Sequence, residues 1–406
     1  MNVFVSNKGA LPDSALIIDG GSGPYYDKYE LMITDQAQTG RPTLRGIEFV
    51  EVLSGVDGAV LSLANADKAL IGITVRGDDP LRSNYPHITL TDIQKVVNLS
   101  ALGTASMTAV YADAAHHTGV QSLHLHAATL DTLEVKELDA EGAAKVGAIH
   151  TLNIQAADKS NSVIQHFGKE LSAGLKTINI TLDGQLELKS VSAGVTMIDA
   201  SKATGAMTLN LGAASATVKL GAANSIVTLG SGASTVISGT GNDKIVGGAG
   251  NDIIDMTPAN SGSDTFHYAV GKGGDDVILG FRAKNAQGDG GSDPQADVLS
   301  FSGVADAKAL QDAVKEIVFT GKSLDVGRAD VKMVFDDSVG GGSLSFTNFL
   351  ALGTNLSEIF KQGKFSGKDG EVIILSAEDA ITLTGVNGAE LTAAFGAGGL
   401  LLDAVV

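Results

Sequence analysis

The sequence predicts an all-β-dominated chain: a parallel β-solenoid, preceded by a β-rich N-terminal region and followed by a small α+β cap. Three observations carry this expectation. A nine-residue period runs through the middle of the chain, and short alternating apolar segments recur before it. The composition also favours thin layers of small side chains over a bulky core, with 51 glycines among 406 residues, no tryptophan and only 5% aromatics. The expected regions are a β-rich N-terminal part (1–95), an irregular metal-free solenoid (96–228), a repeat region with its closing segment (229–303) and a cap (304–406).

Charge narrows the function classes. The net charge is −18, which disfavours nucleic acid because its phosphates require a basic face. It suits a protein that gathers hard cations on carboxylate oxygens, and it also keeps a chain dispersed. Cysteine is absent, so neither a disulfide framework nor a thiolate metal site can form. Residues 1–14 lack a basic stretch followed by an apolar run, so no cleaved secretory signal is predicted there. With no run of about 18 apolar residues, membrane insertion is not expected either.

In the first hundred residues, strands are expected at 3–6, 15–18, 47–53 and 71–75. Alternation of apolar and polar residues then predicts strands at 107–111, 120–126, 132–138, 149–154, 177–182 and 185–191. A helix is expected at 160–173.

The nine-residue frame is clearest in two adjacent units. Residues 238–246 read S-G-T-G-N-D-K-I-V and residues 247–255 read G-G-A-G-N-D-I-I-D. Upstream, 202–210, 211–219, 220–228 and 229–237 keep the phase. Their eighth positions are Leu209, Val218, Val227 and Val236, always aliphatic, whereas their sixth are Met207, Ala216, Ser225 and Ser234 in place of aspartate. The core-facing residue persists while the ligand is lost, as expected of coils that need no metal. Downstream the frame slips by three residues twice, with spacers at 256–258 and 268–270. Units 259–267 and 271–279 then offer Gly262, Asp264 and Phe266, and Gly274, Asp276 and Ile278, at positions four, six and eight.

Calcium takes six to eight oxygens, more than one aspartate supplies. Glycine tolerates left-handed dihedrals and lets carbonyls turn toward one point. Two stacked loops can therefore surround an ion with Asp243 or Asp252 and several backbone carbonyls. The candidate calcium ligands and loop residues are Gly239, Gly241, Asn242, Asp243, Gly248, Gly250, Asn251, Asp252, Asp264, Asp275 and Asp276, binding several Ca2+ ions. Loop and strand alternate, giving one coil per two units, with Asp243 and Asp252 on opposite edges. Without metal the carboxylates repel and glycine loses much backbone entropy, so calcium binding is expected to drive folding of the repeats.

Residues 280–297 form a Gly/Asp/Asn-rich loop. In the cap, 305–317 has helical spacing. Residues 344–349 and 355–360 then resemble 381–386 and 390–395, each half reading as a strand, a turn and a short helical stretch.

The two perfect units resemble the repeat of the RTX family of calcium-binding secreted proteins, and residues 195–301 carry that resemblance. The stretches 273–281 and 296–301 look like the segment that closes a calcium β-roll, and 197–211 is similar to the irregular solenoid of RTX surface-layer proteins and adhesins. The resemblance implies export by type I secretion machinery with an uncleaved C-terminal signal, which the apolar, acid-interrupted end at 400–406 fits, and hence an extracellular or cell-surface location.

No catalytic constellation is predicted. None of the eight histidines falls in H-E-x-x-H, and Gly21-Ser22-Gly23 is followed by Pro24, not a nucleophile elbow. Gly321-Lys322-Ser323 lacks the earlier glycine of a phosphate loop. His124 and His126 would share one strand face. Arg76-Gly77-Asp78 spells a cell-attachment triplet that arises readily by chance. The leading expectation is a calcium-dependent structural protein that assembles with itself into an extracellular layer or filament, its open strand edges joining copies. The rival is a calcium-dependent adhesin for cell-surface polysaccharide or host glycans, for which Tyr25, Tyr26 and Tyr29 form the one aromatic cluster. A third reading is an enzyme with a site in the first two hundred residues.

Overall fold

A computed structural model describes residues 2–7, 16–33, 39–54, 57–77, 86–112, 119–145, 147–156, 159–257, 262–281, 297–304, 309, 312–320, 329–349, 364–366, 372–374, 380–384 and 390–394. Strands dominate it, and most pair in parallel. The chain divides into two compact units, Met1–Leu209 and Asn210–Val406.

In the first unit most strands fall into two parallel ladders, apart from the pair Ile17–Asp19 and Thr43–Arg45 and the antiparallel Ala144–Lys145. One runs through Asn2–Asn7, Asp27–Ile33, Phe49–Ser54 and Gly72–Gly77 into the first half of Asn98–Tyr111. It continues through Val120–Leu138, Thr151–Ala156, Thr177–Leu182 and Met197–Asp199. The other joins Thr39–Gly40, Ala59–Ser62, His87–Ile93, the second half of Asn98–Tyr111, the later part of Val120–Leu138, Asn161–Phe167, Gln185–Leu188 and Ala206–Asn210. The strands expected at 107–111, 120–126 and 132–138 are thus parts of two long strands of 14 and 19 residues. These pass from one ladder to the other through positive-φ bends at Gly103 (φ 71) and Ala127 (φ 46). Alternation decides which side chains face inward: in Phe49–Ser54, Val50 and Val52 are buried and their neighbours are not.

The helix expected at 160–173 is shorter. Residues Asn161–Phe167 form a strand whose Val163 pairs with Thr129, and only Lys169–Gly174 is helical. Its apolar residues mimic helical spacing, but the ladder beside it satisfies the backbone first. The short helix is held by Glu134, whose carboxylate accepts the N–H groups of Glu170 (3.0 Å) and Leu171 (2.8 Å).

In the second unit the nine-residue frame becomes two interleaved ladders. Thr217–Lys219 pairs with Thr235–Ile237, which pairs with Ile253–Asp255 and then Asp275–Leu279. The alternate strands Ile226–Thr228, Lys244–Val246, Thr265–Ala269 and Val298–Ser302 pair likewise. Position eight stacks inward in both: Val218, Val236, Ile254 and Ile278 in one ladder, Val227, Ile245, Phe266 and Leu299 in the other, each fully buried. Burial of one such aliphatic side chain is worth about 1.5–3 kcal/mol, and the frame repeats that gain every nine residues.

Beyond the repeats the thin core widens. Tyr268 stacks on Phe335 (ring centroids 5.2 Å) and meets Phe301 edge-on (6.5 Å). Ser343–Phe349 extends one ladder by pairing with Asp275–Leu279, and Lys364–Ser366 extends the other by pairing with Val298–Ser302. The cap expectations hold in part. Of the helix expected at 305–317, Ala309, Asp312 and Ala313 are helical, and the chain turns to strand at Val314–Thr320, paired antiparallel with Ala329–Phe335. Residues 390–394, expected as helical, form a strand that folds back on Ala380–Thr384. At 314–317 and at 390–394 a hairpin partner outcompetes local spacing. The residues at 282–296, 355–360 and 400–406, and His116 and His117, lie outside the described residues. Among those described, no helix is long and apolar enough to cross a membrane.

Candidate metal centre

The sixth-position aspartates form two columns, one along each ladder. Asp243, Asp252, Asp264 and Asp276 are each no more than 1% exposed: the first three directly precede their strands and Asp276 is the second residue of Asp275–Leu279, at an inward position. Each carboxylate accepts the backbone N–H of the equivalent residue one coil earlier. Asp243 Oδ1 takes Ser225 N–H (2.8 Å) and Asp264 Oδ1 takes Asp243 N–H (2.8 Å). In the other column Asp252 Oδ1 takes Ser234 N–H (2.8 Å) and Asp276 Oδ1 takes Asp252 N–H (2.9 Å). The separations are 18 residues for the regular coils, then 21 and 24 once the two three-residue spacers intervene. The frame slips read from the sequence are therefore the register of the columns.

Asn242 and Asn251 work in the opposite direction. Asn242 Oδ1 accepts Ser263 N–H (2.7 Å) and Asn251 Oδ1 accepts Asp275 N–H (2.9 Å), both from the following coil. Asp275 is exposed, and its Oδ1 accepts the Ser343 hydroxyl (2.7 Å). Asn242, Asn251 and Asp275 thus tie coils together through side-chain oxygens, while Asp243, Asp252, Asp264 and Asp276 line the interior.

The glycines are needed for a different reason from the one expected. Gly239, Gly241, Gly248 and Gly250 do not adopt positive φ; Gly274 (φ 75) does. What demands glycine is close approach of stacked backbones. A β-carbon at Gly239 would run into the Gly221 carbonyl oxygen, at Gly248 into that of Gly230, and at Gly250 into that of Gly232. At Gly241 it would strike the backbone of Ala223.

The electrostatics are unbalanced. Asp252 Oδ2 and Asp276 Oδ2 are buried and have no hydrogen-bond partner. Burial pushes the Asp276 carboxyl up to about 8, with Asp252 and Asp275 adding repulsion and the Asp252 N–H opposing. It pushes Asp243 up to about 7 against the N–H groups of Ser225 and Gly239, Asp264 adding to the rise, and raises Asp252 likewise. A buried carboxylate oxygen with no donor is costly unless a cation or a proton meets it. Among the described residues no three His, Asp or Glu side chains gather at one point. A cation here would therefore draw on one or two carboxylates and on backbone carbonyls, a donor set of hard oxygens that fits Ca2+ and excludes the nitrogen and sulfur sites of zinc.

One column member was not expected. Asp297 is buried, and its Oδ1 accepts the N–H of Asp264 (2.9 Å), 33 residues earlier. Its signal was local: Asp297 and Leu299 repeat the spacing of positions six and eight. Elsewhere, His124 and His126 lie on the outward side of their strand. Of the three tyrosines, Tyr25 (71%) and Tyr26 (60%) are exposed while Tyr29 is buried, because Tyr29 occupies an inward position of Asp27–Ile33. Compared with known protein families, curated proteins and solved structures, the chain matches none.

Proposed function

We propose that the chain is a secreted RTX-type structural protein whose repeats close into a calcium β-roll and which assembles with itself into an extracellular layer or filament. In this reading the two ladders of the second unit are the two walls of the roll. Calcium ions sit between successive loops, held by Asp243, Asp252, Asp264 and Asp276 with loop carbonyls. Bound calcium offsets buried negative charge and so converts binding energy into folding. The observation that carries this is the pair of buried, partnerless oxygens, Asp252 Oδ2 and Asp276 Oδ2, in one column.

Assembly draws support from the other end of the chain. Among the described residues Asn2–Asn7 pairs on one side only, with Asp27–Ile33, and Val3 (48%) and Val5 (55%) are exposed. An apolar strand edge of this kind adds strands from another chain. A head-to-tail contact that does not close yields sheets or fibres.

The test is negative-stain imaging of the purified full chain, first with excess chelator and then with calcium. Ordered sheets or fibres are expected with calcium alone, and a Val5→Pro variant should block them. Separate, well-folded particles in calcium would sink the assembly reading, and repeats that fold equally well in chelator would sink the calcium reading.

A further inference from the structure

We propose that the outward face of the longer ladder in the first unit binds an extended, uncharged glycan chain. Two rows of outward side chains run across its parallel strands. In the first row Asn98 stands beside Gly72, and Ser122, Asn153 and Asn179 follow in register. In the second row Thr74, Ser100, His124, Gln155 and Thr181 are partners in turn. From the Gly72–Gly77 strand to the Thr177–Leu182 strand neither row contains a Lys, Arg, Asp or Glu. Charge bounds the strip at both ends: Glu51 adjoins Thr74 and Lys28 adjoins Phe49 on one side, and Asp199 adjoins Asn179 on the other. Within the strip the imidazole of His124 adds no charge, because burial and the neighbouring His126 hold it below its ordinary range.

The strip ends on an aromatic platform. Phe49 precedes Gly72 in the first row, and its ring lies over that glycine, since a β-carbon there would stand 2.9 Å from the ring. Tyr26, 60% exposed, meets Phe49 edge-on at 5.7 Å. An aromatic face packs against the C–H surface of a sugar ring. Amides and hydroxyls offer donors and acceptors together, which is what a polyhydroxylated ligand needs. Asn179 Nδ2 donates to Asn153 Oδ1 (2.8 Å), which fixes both amide planes in advance. Parallel strands place successive row members about 4.8 Å apart, close to the length of one sugar unit in an extended chain. Charge selects the ligand: the two rows hold no cation between those strands, and the flanking Lys28 and Arg76 are engaged by Glu30 and Glu51, so on a protein of net charge −18 the strip disfavours uronates and phosphates and favours neutral sugars. This surface is separate from the aspartate columns and does not depend on the calcium reading.

The test is an array of neutral glucan, mannan, xylan and galactan oligosaccharides beside uronate oligosaccharides, probed with the full chain. Binding to at least one neutral series and to no uronate is expected. Tyr26→Ala and Asn179→Ala, both at exposed positions, should each weaken it roughly fivefold to tenfold without moving the melting temperature. The proposal is overturned if no neutral oligosaccharide binds, if uronates bind as well, or if both variants bind like the parent. It is equally overturned if hydrogen exchange shows this face covered by a second copy of the chain.

Discussion

The coils before and after residue 238 share a frame, a core and a pair of ladders, yet differ at one position in nine. Before it, position six is Ala216, Ser225 or Ser234; after it, Asp243, Asp252, Asp264 and Asp276. Both sets bury that position, and both stack a buried apolar residue two places later, aliphatic except for Phe266. A serine or alanine there leaves no charge inside. An aspartate clamps the preceding coil and leaves negative oxygens to be neutralised. Packing thus makes the coil in either region, while the aspartate makes it conditional.

The largest effect that separates the regions is calcium removal. At about pH 9, where protons no longer stand in for the metal, chelation should abolish hydrogen-exchange protection in Lys244–Val246 and Ile253–Asp255 while Thr217–Lys219 stays protected. Equal protection of both regions in chelator would break the comparison. Next is Asp252→Ala, which leaves the buried Ser234 N–H without an acceptor at a cost of about 1–3 kcal/mol and also removes a ligand. Asp252→Asn should keep the acceptor and lose only the calcium response, so the two variants, melted with and without calcium, separate clamp from ligand. Gly248→Ala should cost about 1–3 kcal/mol by forcing stacked backbones apart, whereas Gly23→Ala, which meets open space, should be neutral in the same melt.

A smaller effect is pH. In metal-free protein, Asp243 and Asp276 hold protons up to about 7 and about 8, against 3.8 ordinarily. A raised carboxyl in the folded state stabilises fully below its ordinary value, and that stability fades as pH rises through the folded value. Chelated protein should therefore melt higher at about pH 5 than at about pH 9, and Asp243→Asn should flatten the difference. A steeper gain toward alkaline pH would contradict the burial of these groups. Smallest of all, Ser225→Asp should extend one column by a carboxylate and sharpen calcium-dependent stabilisation upstream, read as a larger calcium-induced shift in melting.

Much of this was legible in the sequence, because a strict period exposes which residues face inward. The two three-residue slips anticipated the pairing of Lys244 with Thr265 and of Ile253 with Val277. The role of the repeat glycines was not legible, since a left-handed turn and a backbone contact leave the same letter. Asp297 escaped because a long excursion separates it from Asp264, and a period is visible only while it is unbroken. The strand at Asn161–Phe167 was hidden because two spacings fit its apolar residues, and only the ladder beside it decides between them.

Units 238–246 and 247–255 are each tied backward by an aspartate oxygen and forward by an asparagine oxygen. The repeat region is therefore a one-dimensional chain of nearest-neighbour links. A defect in such a chain has a short reach: loss of one rung frees the coils on either side of it and leaves more distant ones intact. Unravelling should begin at whichever rung is weakest and travel outward in steps of a single turn, so the same protein can be loosened locally without being dissolved.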